Sequence, residues 1–473
     1  MREILQKTLE QITEETGLVG AVVALMKDGK VTFTHTYGYA DREQGRPVTE
    51  ESFFDIASCS KAWTTMLAAQ ACDEGILDWD TPVQQYIPEF TMHDPYVGAH
   101  VTPRDLASHR TGMPGHDFMR EKIIGDRENL MRKTAHLELN AGLRSTYQYN
   151  NHMYIVLGYL LERIRGGKCW EEQILEKIAG PLGVDPIRFR GPNPDMTGLD
   201  CALPYVSNGF VAKRCGYASN PYSAPCGGIK INIKNLCKWV GAMSMRGVTP
   251  DGTRLCSEKQ FKELISPAIP AGEEENAQLK NPCYALAWIN SICNGKRVIH
   301  HSGGLTGFNT QVGFLPEEGT AYAMIFNTGS TPAVTVIRNL VLDYLTTGKT
   351  HENYDDQIED WKKRRDAMVA KMGSYTTGDP MTKETNPELI GSYRHPAYET
   401  FEVEAREDGR LWFVYGDFQA PLQREASGLI SAYTGVLDGL NPDHIELYPN
   451  AEGADLKTSD SELHLKFVKE LKI

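Results

Sequence analysis

The spacing of apolar positions changes character several times along this chain. Residues 1–17, MREILQKTLEQITEETG, carry apolar side chains at helical intervals among charges and predict an amphipathic helix. Two β-rich runs follow in VGAVVALMKDGKVTFTHTYGY, residues 19–39, joined at Asp28-Gly29, a strong hairpin signal. From Ser60 the period is helical again, with Ala62, Met66, Leu67 and Ala69 supporting one apolar face. Pro82 and Pro88 interrupt GILDWDTPVQQYIPEF, and a helix-rich stretch then runs to about residue 185. Residues 186–228 are rich in Pro, Gly, Asn and Ser and read as long loops, which in a compact domain are usually functional covers or disordered.

Strand-like runs return at YALAWINSI, KRVIHHSGG, NTQVGFLP and AYAMIFNT, and PAVTVIRNLVLDYL reads as a helix opened by Pro332. Strands at both ends with helices between them predict an α+β fold. Its simplest form is one antiparallel sheet assembled from both ends of the chain and flanked by helices. Residues 351–385 are dense in charge and predict a linking helix that gives way to a loop. From Leu389 onward apolar and polar residues alternate between turn signals such as Asp408-Gly409, the pattern of a small all-β domain. The expected organisation is therefore 1–350, a linker over 351–385, and a barrel-like antiparallel domain over 386–473.

Composition narrows the class of protein. At 473 residues and 41% hydrophobic, the chain can bury a core in a large and a small domain. A formal net charge of −13 argues against a nucleic-acid partner or a basic membrane surface. No stretch reaches ~18 consecutive apolar residues, and the N-terminus lacks the apolar centre of a signal peptide. A soluble cytoplasmic protein is expected. The ten cysteines include no CxxC pair and read as reduced thiols. No Cys and His residues cluster at zinc spacing, so neither a metal nor a cofactor is expected. His300 and His301 are adjacent, and on a strand they point to opposite faces.

Three short motifs carry the candidate chemistry. FFDIASCSKAWTT sets Ser58 and Lys61 three positions apart at a helix start, hence on one helix face. There an unprotonated Lys61 amine could take the Ser58 proton while the helix N-terminus stabilises the developing negative charge. Taken alone, Ser58 or Ser60 capping the helix explains the same residues. Tyr149 and Asn151 stand two apart before an apolar helix, which a core tyrosine beside a capping Asn would also explain. In VIHHSGGLTGF, His301, Ser302 and Gly303 end a strand, and Gly304 and Gly307 permit close approach of a ligand to the backbone.

The order Ser-x-x-Lys, Tyr-x-Asn, His-x-Gly, each in its expected setting, resembles the serine β-lactamase and penicillin-binding-protein superfamily. The likeness is greatest to the branch of class C β-lactamases, family VIII esterases and D-aminopeptidases. GILDWDTPVQQYIPEF, VTPRDLASHRTGMP, APCGGIKINIKNLCKW and YALAWI look like family segments, and the resemblance spans about residues 15 to 347. The tail is similar to the small barrel of some members, which implies a domain that shapes access to the site. The resemblance implies the β-lactamase/transpeptidase-like fold and an acyl-enzyme on Ser58. It implies proton transfer by Lys61 and Tyr149, orientation of Lys61 by Asn151, and an oxyanion hole from the N–H groups of Ser58 and Gly304. Base work by Tyr149 requires nearby cations to lower its pKa. His116, just after TGMP, falls at a substrate-contacting position of class C enzymes. Where β-lactamases carry Lys-Thr-Gly, this chain has His301-Ser302-Gly303, and a neutral imidazole grips a carboxylate less well than an ammonium. The expected substrate is a small ester, an amide or a short peptide, cleaved by an esterase or a D-aminopeptidase-like amidase. Acyl transfer to a small acceptor, and a non-catalytic binding role, are the alternatives. Oligomeric state is not encoded in any of these features.

Overall fold

Asp28 and Gly29 take left-handed backbone angles, φ 49° and 72°, and turn the strand Gly20–Lys27 back into Lys30–Asp41. The computed structural model describes residues 2–121, 125–190, 196–207, 212–217, 220–272, 278–329, 331–350, 354–375, 378–433, 444–458 and 461–470. Gly20–Lys27 also pairs on its other edge with Thr320–Phe326, Ala21 opposite Phe326 and Lys27 opposite Thr320. Phe308–Leu315, Lys296–Leu305, Ile289–Cys293, Lys280–Tyr284 and Ile269–Pro270 extend the sheet in that order. The antiparallel sheet built from both ends of the chain is present.

YALAWINSI is not one strand. Lys280–Tyr284 stops, Ala285 to Trp288 turn, and Ile289–Cys293 resumes antiparallel with Tyr284 opposite Ile289. The turn is closed by the Ala285 N–H donating to the Trp288 carbonyl at 2.7 Å, and Ala287 has φ 68°. All four turn residues are buried and apolar, so the hydrophobic pattern runs unbroken through a reversal of direction.

Helices cover both faces. The helix Lys61–Asp73 is buried nearly all round, Trp63 stacking on Trp239 at 4.5 Å, rather than along one stripe as its spacing predicts. On the other face, Leu9 and Ile12 of the helix Arg2–Glu15 pack with Ile337, Leu340 and Val341 of Ala333–Thr347. The charged helix Asp355–Tyr375 begins inside this core. Tyr354 and Ile358 are buried there, and the Tyr354 hydroxyl donates to Asp343 at 3.3 Å. Residues 351–353 and 376–377 of the predicted linker lie outside the described residues, as do 191–195, 208–211 and 218–219 of the predicted loops.

The tail forms a closed eight-stranded barrel. Its strands are Gly391–His395, Glu399–Ala405, Leu411–Tyr415, Phe418–Arg424, Ile430–Tyr433, His444–Pro449, Gly453–Thr458 and Ser461–Lys469. Closure comes from Gly391–His395 pairing with Ser461–Lys469, and Phe418–Arg424 with Ile430–Tyr433. Leu411, Phe413 and Tyr415 are buried while Trp412 and Val414 between them are half-buried, the expected period of two. One hydrophobic cluster is continuous from the helical part into the barrel, with Phe118 5.1 Å from Tyr415 and 5.2 Å from Phe418.

Candidate active site

The backbone reaches Ser58 through a held corner. Asp55 accepts the Ala57 N–H at 3.0 Å, and Ala57 takes φ 45°, a left-handed angle that a non-glycine residue keeps only when its surroundings enforce it. Nη2 of Arg190 lies 3.0 Å from both Asp55 oxygens and donates to the Gly227 carbonyl at 2.7 Å, so the corner is braced by a buried ion pair. The tight turn Ala57–Ser60 then feeds into Lys61–Asp73, leaving Ser58 at the helix N-terminal end. Neither serine caps that helix. The Ser60 hydroxyl is fully buried and accepts the Ile229 N–H at 3.1 Å.

Lys61 is fully buried, with its Nζ donating to Ser58 Oγ at 3.0 Å, Asn151 Oδ1 at 2.7 Å and the Cys226 carbonyl at 2.7 Å. Asn151 opens the helix Asn151–Ile164. The capping role belongs to its neighbour Asn150, which accepts the Met153 N–H at 2.9 Å. The Asn151 amide nitrogen donates to both Asp117 oxygens, at 3.1 and 3.2 Å. That fixes which end of the amide faces Lys61. Lys61 Nζ also lies 4.8 Å from the Tyr149 ring centroid. Burial nevertheless pushes the Tyr149 phenol well above its ordinary pKa, against the lowering effect of its hydrogen bond with Ser58. The condition for base work by Tyr149, a phenol lowered by nearby cations, is opposed by this burial.

His301 is held by a directed chain of hydrogen bonds. The Asn150 N–H donates to His109 Nδ1 at 3.0 Å, so His109 Nε2 carries the proton and donates to the Tyr284 hydroxyl at 3.2 Å. Tyr284 donates to His301 Nε2 at 2.9 Å, and His301 Nδ1–H donates to the Ser302 carbonyl at 2.6 Å. Burial, then the Lys61 charge, lowers the His301 pKa to about 3, so the ring is neutral. With both nitrogens engaged, His301 offers the cleft no N–H. His300, on the opposite face, bonds Ser291 at 2.9 Å.

Ser58, Tyr149, Asn151, His301, Ser302 and Gly304 line one pocket of about 410 Å³, together with Asp117, Tyr147, Arg190 and Gly227. Lys61 lies beneath it. Gly303 sits beside it for a steric reason: a Cβ there would fall 2.2 Å from the Ile56 carbonyl oxygen, so only glycine lets the strand approach the serine corner. At Gly304 a Cβ would meet nothing within 4 Å. His116 does not join them. It is buried, with Nδ1 accepting from the Tyr398 hydroxyl of the barrel at 2.8 Å and Nε2 donating to the Glu138 carbonyl at 3.0 Å. A larger cavity of about 960 Å³, walled by Phe53, Phe54, Tyr217 and Phe308, adjoins Asp55 and Lys230 but contains none of the three motifs. Among the described residues no group of three or more His, Cys, Asp and Glu side chains is placed to hold a metal.

The family model described as Beta-lactamase matches residues 5–345. The chain belongs to the β-lactamase family. A relative in Aspergillus campestris (strain IBT 28561), described as "Unguisins hydrolase ungD'", is 28% identical over 443 residues, covering 87% of this chain and 78% of its own. The octameric penicillin-binding protein homologue from Pyrococcus abyssi superposes with a TM-score of 0.64 at 21% identity, covering 99% of this chain and 100% of its own. The D-alanine carboxypeptidase AmpC from Burkholderia cenocepacia gives 0.57 at 19% identity, over 73% of this chain and 98% of its own. The first structure shares the fold through the barrel, and the second a β-lactamase-like body of about three-quarters the length.

In and around this β-lactamase-family pocket, sequence reasoning missed Asp55, His109, Asp117, Arg190 and Tyr284. Four of them stood in or beside segments already singled out: Asp55 in FFDIASCSKAWTT, His109 in VTPRDLASHRTGMP, Asp117 directly after His116, and Tyr284 at the start of YALAWI. Asp55 and Arg190 are 135 positions apart, and no local pattern relates them.

Proposed function

We propose that the protein is a serine hydrolase that forms an acyl-enzyme on Ser58 and cleaves a small ester or amide. The observation that carries this reading is the approach of Lys61 Nζ to Ser58 Oγ at 3.0 Å, with Asn151 and Cys226 as its two nearer partners. On losing its proton, the Lys61 amine, still donating to those two acceptors, directs its lone pair at the Ser58 O–H. Lys61 then takes the serine proton as Oγ bonds to the substrate carbonyl carbon. The N–H groups of Ser58 and Gly304 are our candidates to hold the resulting oxyanion. Because burial keeps Tyr149 protonated, we assign it as the proton donor to the departing alkoxide or amine, with Lys61 returning a proton to the phenol. Water then repeats the sequence in reverse and releases the acid.

Neutral His301, with both nitrogens occupied, gives a substrate carboxylate no cation at the third motif. This favours esters, amides and short peptides without a free carboxylate beside the scissile bond. The name of the Burkholderia structure, a D-alanine carboxypeptidase, supports including substrates with D-residues. Ten cysteines, none joined in a disulfide, suit a reducing compartment, and the cytoplasm is the location we propose. The decisive test is labelling with a fluorophosphonate followed by intact-mass and peptide mapping. Ser58 should carry the adduct, and Ser58→Ala should lose on the order of 10^4 to 10^6 in kcat. An adduct mapped elsewhere, or full turnover by Ser58→Ala, refutes the assignment.

A further inference from the structure

We propose that the barrel sets the orientation of the catalytic amide through Asp117, a positioning residue held in place by Tyr398. The proposal rests on the serine-hydrolase reading and extends it to a domain that the sequence assigns only to substrate access.

Consecutive residues of one segment face opposite ways. His116 and Phe118 enter the joint with the barrel, and Asp117 between them faces the cleft. At the joint, His116 donates Nε2–H to the Glu138 carbonyl, which leaves Nδ1 as acceptor for the Tyr398 hydroxyl. Tyr398 is itself fixed, since the N–H groups of Ala397 and Tyr398 both donate to His395 Nδ1, at 3.1 and 3.2 Å. Phe118 lies among Phe413, Tyr415 and Phe418 at ring distances of 6.5, 5.1 and 5.2 Å. Lys133 and Glu399 pair across the same joint at 3.2 Å. Asp117 is therefore suspended between two barrel anchors.

From there the chain of consequence is short. Asp117 engages the Asn151 amide nitrogen with both oxygens, so the amide oxygen must face Lys61. If Asp117 shifts, the amide is free to flip and presents N–H to a lysine that is itself a donor. Lys61 then loses the acceptor that aims it at Ser58.

The test uses the full-length protein and the rate of fluorophosphonate labelling per folded molecule, together with kcat and KM on a chromogenic ester. Tyr398→Phe keeps the ring and removes only the hydroxyl, and should slow labelling about three- to tenfold with KM unchanged. Asp117→Asn should slow it about 10- to 100-fold. The double variant should be no slower than Asp117→Asn alone, because the hydroxyl acts only through the carboxylate. Multiplicative losses in the double variant, or wild-type labelling by Tyr398→Phe, overturn the proposal. Should Tyr398→Phe fail to fold, Phe118→Leu loosens the second anchor and must give the same non-additivity with Asp117→Asn. A wild type that is not labelled at Ser58 refutes the hydrolase reading itself. A labelled wild type with an unaffected Tyr398→Phe refutes only the role of the barrel.

Discussion

Lowering the pH from 7 to 5 should remove several kcal/mol of folding stability before the carboxylates titrate. His109, His152, His300 and His301 are all buried, and burial is the largest cause of a lowered pKa in each. For the last three the folded value is about 3. The unfolded chain protonates these rings near the ordinary value of about 6.5, so it binds more protons than the folded one throughout the interval between. Stability is then complete above that ordinary value and falls as pH drops through it toward the folded pKa. Each of the three rings with a folded value of about 3 loses about 2 kcal/mol between pH 7 and pH 5, about 6 kcal/mol together, against a typical total of about 5–15 kcal/mol, and His109 acts in the same direction. Urea unfolding at a series of pH values measures this directly. His152 lies outside the pocket lining, so His152→Leu should retain the pocket while losing about 2 kcal/mol of the pH dependence. An unfolding free energy that stays within about 1 kcal/mol from pH 7 to pH 5 would refute the reasoning.

Gly303→Ala places a Cβ 2.2 Å from the Ile56 oxygen and should destabilise the fold by about 1–3 kcal/mol while slowing labelling of Ser58. Gly304→Ala, with open space around its Cβ, should melt like the wild type, and equal melting of the two variants would disprove the steric argument. His301→Lys puts an ammonium in a buried position beside Lys61 and breaks the chain through Tyr284. A loss of about 3 kcal/mol in stability is expected, with no selective fall in KM for carboxylate-bearing esters; such a fall would show that the side chain reaches the cleft. A chain ending at residue 350 uncovers Phe118 and removes Tyr354 and Ile358 from the core, so it should be insoluble or unreactive toward the probe. Wild-type labelling by that fragment would contradict both contacts.

The fold was legible wherever period and turn chemistry agree. The Asp28-Gly29 hairpin, the helix behind Pro332 and the alternating strands of the barrel all announce themselves locally. The proposed pair Ser58 and Lys61 was legible for a related reason, since the two stand three positions apart where one tight turn runs into a helix. What escaped is what only three-dimensional closure creates. The turn at Ala285 to Trp288 is as apolar as the strands it joins. The Asp55–Arg190 brace and the Asn150–His109–Tyr284–His301 chain join residues far apart in sequence. His116 was misjudged because its neighbourhood fits a cleft residue equally well, and only the presence of Tyr398 shows which way the ring turns.

The change of lysine to histidine in the third motif and the assignment of Tyr149 as an acid are linked. An ammonium at position 301 would sit across from the Tyr149 ring, whose centroid is 6.3 Å from that of His301, and would favour the phenolate. The imidazole instead is neutral, because burial and the Lys61 charge outweigh the bond to the Ser302 carbonyl, which favours protonation. Nothing on that side then opposes desolvation of the phenolate, and Tyr149 keeps its proton. On the proposed mechanism, a pocket with a protonated phenol and a carboxylate-bonded Asn151 leaves the serine proton to Lys61, the group 3.0 Å from Ser58 Oγ. The proposed division of labour then rests on one residue type at one strand position, acting through burial rather than through contact with the substrate.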